Sequence, residues 1–300
     1  MMEPGFARPS TVRGAVRFMP AGPRTKRPEF RRKPALERRT VTDRLGRYHL
    51  DYLSAAERDW LEQDMERAAE VQRQLLPDTH VRFEGWEISY CYQPFGPLGG
   101  DYCDIMPCGN GGKELLLTLG DASGKGIAAS LLMAQLHAIF HTLGSSHLAV
   151  QELVERANQI LCHHAVSCSF ATLVCVRATS EGDVEICNAG HCSPLLVGSA
   201  GVTRIESGGL PLGLFPNVHC DVTRKHLEKG DSLFFYTDGL TEASDGSEGE
   251  YGAERLLQQV QEAAALPPQA MIETCIENVA AFRAGVPSTD DVTVIAMRRA

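Results

Sequence analysis

The distribution of strand patterns narrows the possible folds more than any other feature, because the strands are bunched rather than interleaved with helices. Trp86, Ile88, Tyr90 and Tyr92 alternate with more polar neighbours, the period of a half-buried strand. Segments 102–107 and 114–119 follow as a hairpin around Gly109, Asn110, Gly111 and Gly112. Helical patterns then occupy 127–143 and 149–165. Short strands run through 169–177, 184–188, 194–197, 202–205, 218–226 and 232–236. Helices at 253–264 and 268–283 precede a last strand at 292–297. A doubly wound parallel sheet needs a helix after nearly every strand, whereas this order predicts an α+β layered sandwich. No internal repeat or break interrupts it, so 84–300 reads as one domain.

Upstream, 53–77 reads as a linker or switch helix. Ser54 and Glu57 have the spacing of a capping box, an apolar stripe runs through Trp60, Leu61, Met65, Ala68, Leu75 and Leu76, and Pro77 stops it. Leu61, Met65, Ala68, Gln72 and Leu75 keep a 4-3-4-3 spacing that suits a two-helix seam and hence a homodimer. The seam is short and holds Gln72, so packing against the chain's own domain fits equally well.

The first 52 residues read as a basic, disordered tail, broken by Pro4, Pro9, Pro20, Pro23, Pro28 and Pro34. Residues 1–47 carry a net charge of +9 and the remainder −18. A basic tail can meet nucleic acid or an acidic membrane surface, but this one lacks interleaved aromatics and any base-reading motif, so no specific nucleic-acid binding is expected. There is no continuous apolar run of membrane-spanning length and no apolar core of a secretory signal near Met1. The ten cysteines are scattered, without a Cys-x-x-Cys pair or a Cys/His cluster. That pattern predicts reduced thiols and a cytoplasmic protein.

Acidic residues at strand ends carry the chemistry. Asp101 follows Gly99-Gly100, and Asp121 lies in Gly120-Asp121-Ala122-Ser123-Gly124-Lys125-Gly126. Asp238 ends the apolar run Leu233-Phe234-Phe235-Tyr236-Thr237 just before Gly239, and Asp290-Asp291 opens the last strand. Asp-Gly is ordinary turn chemistry, and any one of these sites is explained by it. Four such strand ends in a sandwich can converge at one edge, where carboxylates repel unless divalent cations balance them. Carboxylate-only ligation selects Mg²⁺ or Mn²⁺. Lys125 lacks the spacing and the following Ser/Thr of a phosphate-binding loop, and reads as an exposed charge at the start of a helix. His191 could serve as a general acid or simply sit in a strand turn.

Seven ordered motifs give the chain a resemblance to the SpoIIE/RsbU-like branch of the metal-dependent type 2C serine/threonine protein phosphatases. They are Gly99–Asp104, Gly120–Gly126, Asn188-Ala189-Gly190-His191, Gly209–Gly213, Tyr236-Thr237-Asp238-Gly239, Tyr251–Leu256 and Asp290-Asp291-Val292-Thr293. Cys103 replaces a second aromatic in the first motif, and Ser193-Pro194 a frequent Pro-Pro, neither of which removes a carboxylate. The resemblance implies a four-layer α/β/β/α sandwich of two antiparallel sheets flanked by helix pairs. It also implies a centre of two Mn²⁺ or Mg²⁺ ions held by Asp101, Asp121, the Ala122 carbonyl, Asp238 and Asp290. Asp121 would bridge the ions, Asp291 is the less certain member of its pair, and Asp104 would be structural or outside the direct ligands. A metal-activated water would be the nucleophile, with no side-chain nucleophile. The substrate would be a phosphorylated regulatory protein such as an anti-sigma-factor antagonist, and an upstream activator would act on the 53–77 helix. Two other readings share parts of the pattern: a catalytically silent partner-binding module of the same fold, and a nucleotide cyclase, which also uses Gly-Gly-Asp.

Overall fold

The computed structural model describes residues 54–109, 112–146, 148–164, 169–206, 208–247 and 249–300. Residues 1–53, which hold the basic stretch, and residues 110–111, within the turn expected at 109–112, lie outside the described residues. Helix α1 (Ala55–Arg73) starts at the expected box: the Ser54 Oγ accepts from the Glu57 N–H and the Glu57 carboxylate accepts from the Ser54 N–H. Its C-terminal end meets the domain. Ala69 and Gln72 are buried and Leu75 and Leu76 pack on the core, while Trp60 and Val71 face solvent.

Eleven strands among the described residues form two sheets with antiparallel neighbours throughout. The first sheet orders β1 (His80–Phe83), β2 (Trp86–Gln93), β11 (Val292–Arg299), β10 (Ser232–Tyr236), β7 (Leu195–Gly198) and β8 (Gly201–Arg204). The second orders β3 (Asp101–Cys108), β4 (Glu114–Ala122), β5 (Ala171–Thr179), β6 (Asp183–Ala189) and β9 (Val222–His226). Period-2 alternation lets each sheet bury both faces. One face of each sheet meets the other sheet through Trp86, Ile88, Leu117, Leu119, Val176, Phe235 and Ile295. The outer face of the second sheet carries α2 (Ile127–Gly144) and α3 (Val150–His164), and that of the first carries α5 (Ala253–Glu262) and α6 (Pro268–Arg283). The four-layer sandwich is the fold. Phe235 is almost completely buried between the sheets, and its truncation to Ala would cost about 3–5 kcal/mol.

Two elements are absent from the sequence reading. Strand β1, His-Val-Arg-Phe, is a short edge strand with half its residues exposed, too brief to show a period. Helix α4 (Asp238–Thr241) is a single turn following β10. One expectation fails: Cys187 and Cys220 form a disulfide, with Cα atoms 5.9 Å apart. The cause is the β6–β9 pairing, which sets Cys187 opposite Val222 and so beside Cys220, a neighbourhood that depends on sheet order. The other described cysteines are free. Helix α2 is the one described helix long and apolar enough to cross a membrane, and here its Met133, Leu136 and Phe140 pack on the second sheet.

Candidate metal centre

Strand polarity brings the acidic strand ends together. In the β3–β4 hairpin, Asp101 is the register partner of Asp121, so the start of one strand and the end of the next share one edge. In the other sheet Tyr236 pairs with Val294, which places Thr237-Asp238 at the end of β10 beside Asp290-Asp291 at the start of β11. Asp101 joins the two halves. Its Oδ2 accepts hydrogen bonds from Thr237 Oγ1 at 2.9 Å and Thr293 Oγ1 at 2.6 Å, and the Thr237 hydroxyl also accepts from the Thr293 N–H.

Burial and repulsion from neighbouring carboxylates push Asp101, Asp121 and Asp238 up. Asp101 is held well above the usual carboxylate range by burial and, against the help of its threonine donors, by Asp121 and Asp291. Asp121 is raised to about 7 by burial, then by Asp238, Asp290 and Asp291, with Lys125 opposing. Asp238 is raised by burial and by Asp290. The edge therefore gathers negative charge that the protein itself hardly compensates, which is what a carboxylate cup for hard divalent cations requires. The donors present are all oxygens, and they fit Mg²⁺ or Mn²⁺.

The Asp290-Asp291 pair divides its work. Asp291 turns inward, its Oδ1 accepting from the Phe95 N–H at 2.7 Å and its Oδ2 from the Gly100 N–H at 2.5 Å. A Cβ on Gly99 would collide with the Tyr92 hydroxyl and the Asp291 carboxylate, so glycine is required for this close approach. Asp290 turns outward, and its Oδ2 pairs with Lys125 Nζ at 2.7 Å. Lys125 Nζ also donates to the Thr289 carbonyl at 2.5 Å and lies 5.5 Å from the Phe95 ring centroid. It is thus tied to the acidic edge rather than being a free surface charge.

Several residues with positional roles went unassigned in the sequence reading. Thr237 and Thr293 lie in the same motifs as Asp238 and Asp290-Asp291. Gln72 of α1 donates from Nε2 to the Gly99 carbonyl at 2.7 Å and accepts from the Gly99 N–H at 3.1 Å. Its one signal was a polar residue within an apolar stripe. His191 is buried, its Nδ1 2.8 Å from Thr172 Oγ1, and burial pushes it down to about 4. It is neutral at pH 7, which suits the strand-turn reading and not a general acid. Asp104 lies away from the edge. It stands three residues along β3 from Asp101, hence on the opposite face, next to His137 and His141 of α2.

This architecture is that of PP2C-type phosphatase domains. Within that class the chain belongs to the family described as Stage II sporulation protein E (SpoIIE), whose family model matches residues 111–300. Among curated relatives it is 24% identical over 265 residues to Protein IcfG of Synechocystis, covering 79% of this chain and 41% of that one. To phosphoserine phosphatase RsbU of Bacillus subtilis it is 23% identical over 242 residues, 80% of this chain and 71% of RsbU. The crystal structure of the RsbU and RsbW domains of Rv1364c from Mycobacterium tuberculosis superposes with a TM-score of 0.61 at 29% identity. That match covers 72% of this chain and 60% of the other. The chain thus spans 41% of IcfG and 60% of the Rv1364c chain, less than two thirds of each.

Proposed function

We propose that this chain is a cytoplasmic, metal-dependent protein phosphatase that hydrolyses phosphoserine or phosphothreonine on a regulatory protein of the anti-sigma-factor antagonist type. The observation that carries the reading is the acidic edge itself: Asp101, Asp121, Asp238 and Asp290 come from four strand ends, burial and neighbouring carboxylates hold Asp101, Asp121 and Asp238 above the usual carboxylate range, and Lys125 opposes this at Asp121 and Asp238. The similarity to RsbU, a phosphoserine phosphatase, supports the reaction class.

Asp101, Asp121, the Ala122 carbonyl, Asp238 and Asp290 would hold two Mn²⁺ or Mg²⁺ ions, with Asp121 shared between them. When bound, the ions would supply an activated water and positive charge to offset the phosphoryl oxygens. The chain's own residues set the geometry. Thr237 and Thr293 fix the rotamer of the buried Asp101, and Asp291 locks the turn that delivers it. Lys125 screens Asp290 and keeps that loop against the start of α2. Helix α1 is the element on which an upstream activator, or a second copy of the chain, would act: Gln72 reaches the Gly99 backbone, and Trp60 and Val71 remain exposed.

Incubation with a phosphoserine protein and Mn²⁺ tests the reading. Phosphate release supports it. Absence of turnover with any divalent ion would point to a silent binding module, and consumption of GTP to a cyclase.

A further inference from the structure

A second cluster of metal-binding chemistry lies on the opposite face of the same strand. His137 and His141 are one turn apart on α2, so their imidazoles project from one side of the helix. They stack with ring centroids 5.2 Å apart, and Tyr102 closes against His137 edge-on at 6.3 Å. Beneath them the buried Asp104 of β3 presents Oδ2 at 3.2 Å from His141 Nδ1 and 3.5 Å from His137 Nδ1. One ligand atom from each of the three residues lies within 4.8 Å of the others, and among the described residues no other His/Cys/Asp/Glu group converges so closely.

Hydrogen bonding explains only part of this arrangement. Asp104 and His141 are within hydrogen-bonding distance, but His137 Nδ1 is buried without a hydrogen-bond partner although it faces the same oxygen. A buried ring nitrogen that makes no hydrogen bond costs free energy that a shared cation would recover. The spacing suits one: bonds of roughly 2.0–2.2 Å around a tetrahedral ion separate neighbouring ligand atoms by about 3.3 Å. Two imidazoles and one carboxylate select borderline ions of the Zn²⁺ class over Mg²⁺. His141 is mostly exposed, so ions can enter and remaining coordination positions can hold water.

We propose that Asp104, His137 and His141 form a site for one divalent transition-metal ion of the Zn²⁺ class, distinct from the acidic edge. It would cross-link α2 to β3, stiffening the helix that begins directly after the Asp121 loop. The inference stands independently of the phosphatase reading, because neither the residues nor the test involves turnover.

The test is Zn²⁺ binding to the full chain by calorimetry with Mg²⁺ in excess, paired with the visible absorption of Co²⁺ at the same site. Three variants complete it. The expected result is one equivalent bound by the parent and by Asp238→Ala, weakened by more than about tenfold in His141→Ala. His141 is exposed, so its removal leaves the fold intact. His137→Gln keeps a polar group in the partly buried position and should lose the same equivalent. Unchanged affinity in His141→Ala, loss of the equivalent in Asp238→Ala, or no Zn²⁺ bound by the parent would each overturn the proposal.

Discussion

Asp101 is almost sealed from water, and the hydroxyls of Thr237 and Thr293 make its charged form tolerable. Removing one donor to a buried acceptor costs about 1–3 kcal/mol, so Thr293→Val should lower unfolding stability in urea by roughly that amount. Unchanged stability would show that the hydroxyl does not support Asp101. His191 gives a pH signature. An ordinary histidine titrates near 6.5, and this one is pushed down to about 4 by burial. The unfolded chain takes up a proton in that interval that the folded chain refuses. Stability from this residue is therefore full above pH 6.5 and lost as pH falls toward 4, by about 3 kcal/mol at the limit. In Mn²⁺-saturated protein, His191→Gln should flatten the acid limb of Tm against pH. An identical limb would contradict the assignment. Asp121 has the opposite sign. Its raised value means the metal-free fold holds a proton that the unfolded chain has released, so its contribution is greatest at low pH and is lost as pH rises through about 7. A cation replacing that proton should raise Tm more at about pH 8 than at about pH 5.5. Equal shifts would mean that the proton and the ion do not compete.

Among the elements, α1 makes the sharpest claim. Its capping box and Pro77 stop were legible in the sequence, but its partner was not, because the seam spacing fits a second helix as well as a domain surface. Gln72 decides the C-terminal end: its amide closes on both backbone groups of Gly99, two residues before Asp101. A chain beginning at Asp78 keeps β1 and the whole sandwich, and should remain folded while showing weaker Mn²⁺ activation. Full activity and an unchanged oligomeric state in that truncation would remove α1 from any switching role. The strands were readable because both sheets are buried on both sides and their apolar runs are bounded by glycine turns, as in Leu115-Leu116-Leu117 before Gly120 and Leu233-Phe234-Phe235 after Gly230. Strand β1 was not, since half of it faces solvent and its two apolar residues, Val81 and Phe83, are too few to show a period. The Cys187–Cys220 disulfide was hidden for a related reason: it depends on β6 lying beside β9, a long-range pairing that no local pattern encodes.

For the whole molecule, the sandwich matters because its strand directions stack four acidic ends at one edge, β3 and β4 from one sheet and β10 and β11 from the other. The glycine-flanked aspartates marked those ends in the sequence. The division of labour between Asp290 and Asp291, and the opposite-facing position of Asp104, needed three-dimensional placement. The same edge would be unstable as a bare cluster, and the proposed function follows from what would neutralise it. Phosphate release from a phosphoserine protein, followed as Mn²⁺ is titrated into the parent chain and into Asp238→Ala, tests this most directly. Saturable Mn²⁺-dependent turnover is expected in the parent, with a fall of about 100-fold or more in a folded Asp238→Ala. Turnover that is independent of Mn²⁺, or equal in the two proteins, would contradict it.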